Sequence, residues 1–150
     1  MTQIVYIDID DTLADYSGGL EKAKVSNPSM PFPQAEYGFY AELIPLKGAV
    51  NAVRWLLNSP AYSPYILTAP SVMNPMSYTE KRYWVEKYLG MLLVNRLIIA
   101  SDKSLLKGNY LIDDKLEGHG QDKFEGTLIQ YGSKNYSTWA TIINELETRC

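Results

Sequence analysis

The chain has 150 residues, 46% of them hydrophobic and 21% charged, which suits one water-soluble globular domain with a single core. A net charge of −3 argues against a binder of nucleic-acid polymers, and the 17 acidic residues form no run that would make an acidic tail. The one cysteine, Cys150, rules out an intrachain disulfide and fits a reducing compartment, while the longest apolar stretch, 91–100, is broken by Asn95 and Arg96 and falls short of the ~20 residues a membrane helix needs.

In chain order, Ile4-Val5-Tyr6-Ile7 is a short apolar run with β-branched residues, the pattern of a strand buried on both faces. No basic segment or cleavable leader precedes it, so a cytoplasmic protein is expected. Asp8-Ile9-Asp10-Asp11-Thr12 follows directly. The segment from about 15 to 45 has a different composition, with Pro28, Pro31, Pro33 and Pro45 among aromatics, and reads as a small insert. A helix is predicted over 48–58, with Val50, Val53, Leu56 and Leu57 on one stripe. Tyr65-Ile66-Leu67 is the next strand. Ser77-Tyr78-Thr79-Glu80 has the form of a capping box and Gly90 of a stop, bracketing a helix that carries Trp84, Val85, Tyr88 and Leu89. Strands follow at 97–99, 110–112 and 127–129, then a helix over about 138–148. Strands alternating with helices predict an α/β fold: a Rossmann-like parallel sheet with helices on both faces, with a small cap insert after the first strand.

All strands of a parallel sheet end at one edge, and ligands bind in the crevice there. Asp8 and Asp10, two apart on an extended segment, can face that crevice together. The second strand ends at Thr68, the third runs into Ser101-Asp102-Lys103, and the fourth ends at Asp113-Asp114. Each has an ordinary reading as a cap, a surface lysine or a turn; four such coincidences at four strand ends point to a site. Carboxylate oxygens suit Mg²⁺ beside a substrate phosphate, with Thr68 and Lys103 as donors to phosphate oxygens. The absence of a His/Cys cluster argues against zinc, and that of a Gly-rich Walker loop against a P-loop ATPase.

The order D-x-D-x-T, strand-end Thr, Lys, Asp-Asp resembles the four motifs of haloacid dehalogenase-like phosphatases. Within them, residues 8–16 with Gly18-Gly19, 43–49, 66–70, 84–90 and 102–114 resemble the 5′(3′)-deoxyribonucleotidases. The resemblance implies dephosphorylation of nucleoside monophosphates, with Asp8 as the phosphorylated nucleophile and Asp10 as acid and then base. It implies Mg²⁺ held by the Asp8 carboxylate, the Asp10 carbonyl and Asp114, with Asp113 close by or bridged through water. Thr68, the Ala69 amide and Lys103 would hold the phosphate. Tyr16 matches an aromatic near the base, Phe39 and Tyr40 an aromatic pair in the cap, and Lys81 a lysine of the helix before the Trp-Val-Glu-Lys stretch, which assigns these four to substrate binding. The ordinary reading of the three aromatics is that they pack the insert onto the sheet. Asp11 stands where Gly is commoner and Ala69 where Ser is. The insert is shorter than in the animal enzymes.

Tyr83, Trp84 and Tyr88 lie at helical spacing and are expected in packing, and His119, between two glycines, in solvent. Two alternatives stay open. A phosphatase of another small phosphomonoester, such as a sugar phosphate, would carry the same motifs. A phospho-accepting receiver domain would place similar groups, but with its phosphorylated Asp on a middle strand. A homodimer is compatible with the sequence, which alone fixes no oligomeric state.

Overall fold

Five strands, β1 (Gln3–Ile7), β2 (Tyr62–Thr68), β3 (Leu97–Ile99), β4 (Tyr110–Asp113) and β5 (Thr127–Gln130), form one sheet in the computed structural model, which describes all 150 residues. Every pairing is parallel and the order is β3-β2-β1-β4-β5. The chain leaves β1 toward β2 on one side and returns to β4 on the other, so the crevice between the ends of β1 and β4 is a topological switch point.

Side chains alternate between the two faces. Val5, Ile7, Ile66, Ile112 and Ile129 point into the main core, which is closed by α2 (Ala49–Asn58), α3 (Ser77–Leu89) and α5 (Trp139–Thr148). Tyr6, Leu67 and Leu111 point to the opposite face, where Phe124 and Leu106 cover them. That second face was expected to carry helices as well. The connections at 100–109 and 114–126 are close to the minimum for a parallel crossover, and they fold as 3₁₀ turns, Lys103–Leu105 and Gln121–Lys123.

Two sequence expectations about helices change. The buried stripe of α2, which begins after Gly48 (φ +80°), is Ala49, Ala52, Val53 and Leu56, with Val50 and Leu57 only half-buried. Ser77 does not cap α3. Its hydroxyl accepts from the Ser71 N–H (3.0 Å) and donates to the Ser71 carbonyl (3.3 Å), while Glu80 is drawn away to backbone groups of the insert. Tertiary partners have taken both halves of the capping box. The helix does end at Gly90 (φ +91°), followed by a single turn, α4 (Met91–Val94).

The insert leaves and rejoins the sheet at one place. Asp15 N–H donates to the Ile44 carbonyl and Leu46 N–H to the Leu13 carbonyl, both at 2.8 Å. Between these points lie α1 (Tyr16–Ser26), N-capped by Asp15 onto Gly18 N–H, and a 3₁₀ turn, Pro33–Ala35. The helix was not foreseen, since Gly18 and Gly19 weaken its propensity and it buries no residue completely. No helix is long and apolar enough to cross a membrane.

α5 begins with a Thr138/Thr141 capping box and sends the buried Trp139 indole N–H to the Thr12 carbonyl at 2.9 Å, tying the C-terminal helix to the loop after β1. Trp139→Phe leaves that buried carbonyl without its donor and should cost about 1–3 kcal/mol of unfolding free energy in urea denaturation. A loss no larger than that of Trp55→Phe, at a half-buried site, would mean the bond does not anchor the loop.

Candidate active site

Beyond β1 the backbone turns tightly: the N–H groups of Thr12, Leu13 and Ala14 all converge on the Ile9 carbonyl at 3.1, 2.8 and 2.9 Å. The turn puts Asp11 at φ +57°, a left-handed conformation that Asp tolerates better than most residues. The Asp11 carboxylate then accepts from Ser17 N–H (2.8 Å) and Ser17 Oγ (2.6 Å), fastening the start of α1 to the loop. Ile9 is buried in the core, and Asp8 and Asp10 on either side of it both line a cavity of about 440 Å³ at the carboxyl edge of the sheet.

Asp8 is held by two donors. The Lys103 ammonium reaches Oδ1 at 2.8 Å, and the Thr12 hydroxyl lies 3.2 Å from Oδ2. The same ammonium donates to Asp113 Oδ2 at 2.6 Å, so one buried cation sits between two nearly buried carboxylates. Asp113 is fully engaged: Oδ2 also accepts from Gln121 Nε2 (3.3 Å), and Oδ1 accepts from Lys115 N–H (2.9 Å). Asp114 is more open. Its N–H donates to the Thr12 hydroxyl (3.1 Å), which lies 3.3 Å from its Oδ1. One oxygen each from Asp8, Asp113 and Asp114 fall within 4.8 Å of one another, an all-oxygen cluster able to hold a hard divalent cation.

Asp10 has different surroundings. Its Oδ2 accepts from the Lys81 ammonium at 2.8 Å, which also donates to Thr68 Oγ1 at 2.8 Å, while its buried Oδ1 has no partner. Four carboxylates thus face two ammonium groups. The imbalance shows in their protonation. Burial, reinforced by the charges of Asp8 and Asp113, pushes Asp114 up to about 8. Burial and the Asp8 charge raise Asp113 against the pull of Lys103. Burial also raises Asp10, with Lys81 opposing. Burial alone would lower Lys103, but Asp8 and Asp113 carry it above the ordinary lysine range.

Of the residues singled out in the sequence, Asp8, Asp10, Tyr16, Tyr40, Ala69, Lys103, Asp113 and Asp114 line the cavity together. Thr68 and Lys81 lie beneath it, fully buried and bonded to each other. Phe39 lies outside it. Tyr16 and Tyr40 stack (centroids 6.1 Å, 25°), and Phe39 packs edge-on against both, at 5.7 and 5.1 Å. The Lys81 ammonium is 4.9 Å from the centre of the Tyr40 ring. His119 is exposed at the rim, as expected. Sequence reading passed over Gln121, Lys115, Gln34 and the role of Thr12. Only Thr12 had a signal, as the last residue of the first motif.

The fold is that of haloacid dehalogenase-like hydrolases: one such hydrolase from Xanthomonas campestris superposes over 99% of this chain and 93% of its own, with TM-score 0.64 and 12% identity. The chain belongs, more narrowly, to the family described as 5′ nucleotidase, deoxy (pyrimidine), cytosolic type C, whose model matches residues 27–141. Its relatives include a protein of Vibrio phage KVP40 that carries the name 5′(3′)-deoxyribonucleotidase, 34% identical over 95% of this chain and 84% of that protein. The human cytosolic-type 5′(3′)-deoxyribonucleotidase is 30% identical over 79% of this chain and 74% of its own.

The raised carboxylates make stability depend on pH. Without a divalent cation the folded protein holds protons that the unfolded chain has released. The stability these groups contribute is therefore present below the ordinary carboxylate range and is lost as pH rises toward about 8. In chelator-treated protein, Tm should fall between about pH 5 and pH 8, and Asp114→Asn should flatten that fall. An unchanged slope in the variant would place the titration elsewhere.

Proposed function

We propose that this chain is a Mg²⁺-dependent phosphomonoesterase that dephosphorylates (deoxy)nucleoside monophosphates through a phosphoaspartate on Asp8, with the 15–45 excursion as its cap. The observation that carries the reading is the unequal environment of two neighbouring carboxylates. Asp8 is neutralised and aimed by Lys103 and Thr12, as a nucleophile requires. Asp10 keeps one buried oxygen free of any partner and has its proton affinity raised by burial, as a general acid requires. The names carried by the phage and human relatives favour a nucleotide substrate.

The all-oxygen donor set fits Mg²⁺. The Asp8 carboxylate, the Asp10 carbonyl and Asp114 would hold it, whereas Asp113, with both oxygens engaged, supports Lys103. Bound there, the cation would offset the acidic excess and bind phosphate oxygens.

The chain's own residues do the rest. The Lys103 ammonium and the Ala69 N–H hold the phosphoryl group, and Thr68 fixes the strand end beneath them. The Asp8 carboxylate attacks phosphorus and the bond to the nucleoside oxygen breaks. Asp10 gives its proton to that oxygen. Now ionised, Asp10 takes a proton from the water that cleaves the phosphoaspartate, which frees phosphate and restores Asp8. The Lys81 ammonium holds Asp10 at its other oxygen through both steps. Tyr16 and Tyr40 form the wall for the base, backed by Phe39. The free Cys150 thiol suits a cytoplasmic location.

The test is phosphate release from a panel of nucleoside 5′- and 3′-monophosphates and hexose phosphates, with Mg²⁺ and in excess chelator. Nucleotides should turn over with kcat/KM at least tenfold above the hexose phosphates, and activity should vanish with chelator and return with Mg²⁺. Preference for a hexose phosphate would replace the substrate class. Full activity in chelator would refute the metal requirement. A single stoichiometric phosphorylation without phosphate release would indicate a receiver-type role.

A further inference from the structure

The returning limb of the cap, residues 34–41, contributes Gln34 and Tyr40 to the cavity, yet the backbone hydrogen bonds within it and at its ends are turn contacts of 3.0–3.4 Å. Its position is set from outside. Glu80, on α3, is buried and has no cationic partner. Its Oε2 accepts from Gly38 N–H (2.9 Å), and its Oε1 accepts from Tyr40 N–H (3.0 Å) and Ala41 N–H (3.2 Å). Asn74, fully buried in the loop before α3, donates through Nδ2 to the carbonyls of Gln34 and Glu36, both at 3.1 Å. Its Oδ1 is fixed in turn by Met76 N–H at 3.0 Å. Five bonds from two buried side chains thus span the limb, and Tyr40 lies between two of the Glu80 contacts.

A buried carboxylate is costly unless its oxygens are satisfied, and bonds to an ionised acceptor are stronger than neutral ones. Glu80 is satisfied only while the limb lies where it is. Swinging the limb out as a lid would strip three donors from a buried anion and two acceptors from a buried amide. The residue after Glu80 on the same helix is Lys81, which holds Asp10 and Thr68 and faces the Tyr40 ring. The start of α3 therefore sets the reacting carboxylate and the aromatic wall relative to each other.

We infer that Glu80 and Asn74 are positioning residues for substrate choice. They hold the Gln34–Tyr40 wall of the cap in a preformed place against the base, without touching substrate themselves. This rests on the nucleotide reading proposed above. The wall recognises a planar base and has no part in the attack on phosphorus, so loosening it separates recognition of the base from chemistry on the phosphate.

The experiment compares kcat/KM for the preferred nucleoside monophosphate with that for ribose 5-phosphate, which has the sugar and phosphate but no base. Glu80→Ala should lower the ratio at least tenfold, mainly through KM for the nucleotide, the scale of one lost base-stacking contact. Asn74→Ala should lower it in the same direction. Glu80→Gln keeps an oxygen for the Tyr40 and Ala41 N–H groups and should retain the ratio to within about threefold. Equal losses on both substrates, or a ratio within twofold of wild type in both alanine variants, would overturn the inference. If Glu80→Ala fails to fold, as judged by its thermal transition, Asn74→Ala decides alone by the same ratio. A wild-type enzyme with no preference for the nucleotide would overturn the functional reading itself, and the inference with it.

Discussion

A single buried ammonium group makes this site possible. The ends of β1 and β4 bring Asp8, Asp10, Asp113 and Asp114 to one crevice, and carboxylates so close resist sharing it. Lys103 places its charge between Asp8 and Asp113, at 2.8 and 2.6 Å. Even at ~4 Å and an effective dielectric of about 20, one such pairing is worth ~4 kcal/mol, against a desolvation cost of several kcal/mol per buried ion. The acidic excess that remains is relieved by protonation, most visibly at Asp114, whose proton affinity burial and the neighbouring carboxylates raise. A divalent cation would offset that excess in place of the proton.

The supporting residues follow from that constraint. Thr12 stands between Asp8 and Asp114, and its carbonyl is held by Trp139 from the last helix. Gln121 and the Lys115 N–H complete the bonding of Asp113, so that this carboxylate holds the lysine while its neighbour stays open. Lys81 gives Asp10 a counter-charge on one oxygen only. Four carboxylates of identical chemistry are differentiated entirely by what each one touches.

The five strands were legible because each is a short apolar run ending in a polar residue, and a parallel sheet gathers those ends at one edge. Asp8, Asp10, Lys103 and the Asp113-Asp114 pair could be placed from that geometry. What could not be read depended on contacts that no local periodicity or spacing marks. Ser77 and Glu80 have the spacing of a capping box but bond to Ser71 and to the insert. Gln121 sits in an irregular loop with no periodicity to mark its contact with Asp113. Phe39 and Tyr40 are adjacent and both aromatic, yet only Tyr40 reaches the cavity, because the limb turns Phe39 behind the Tyr16–Tyr40 pair. The resemblance marked Lys81 as substrate-binding; the buried bond to Asp10 emerged only from the packing of α3 against the sheet edge.

The central claim is that Asp8, neutralised by Lys103, carries the phosphoryl group. Acid quenching during steady turnover of a nucleoside monophosphate, followed by peptide mass spectrometry, tests it directly. Phosphate should be found on Asp8, labile to hydroxylamine, and should be absent from Asp8→Asn along with turnover. Phosphate on another residue, or near wild-type turnover in Asp8→Asn, would contradict it.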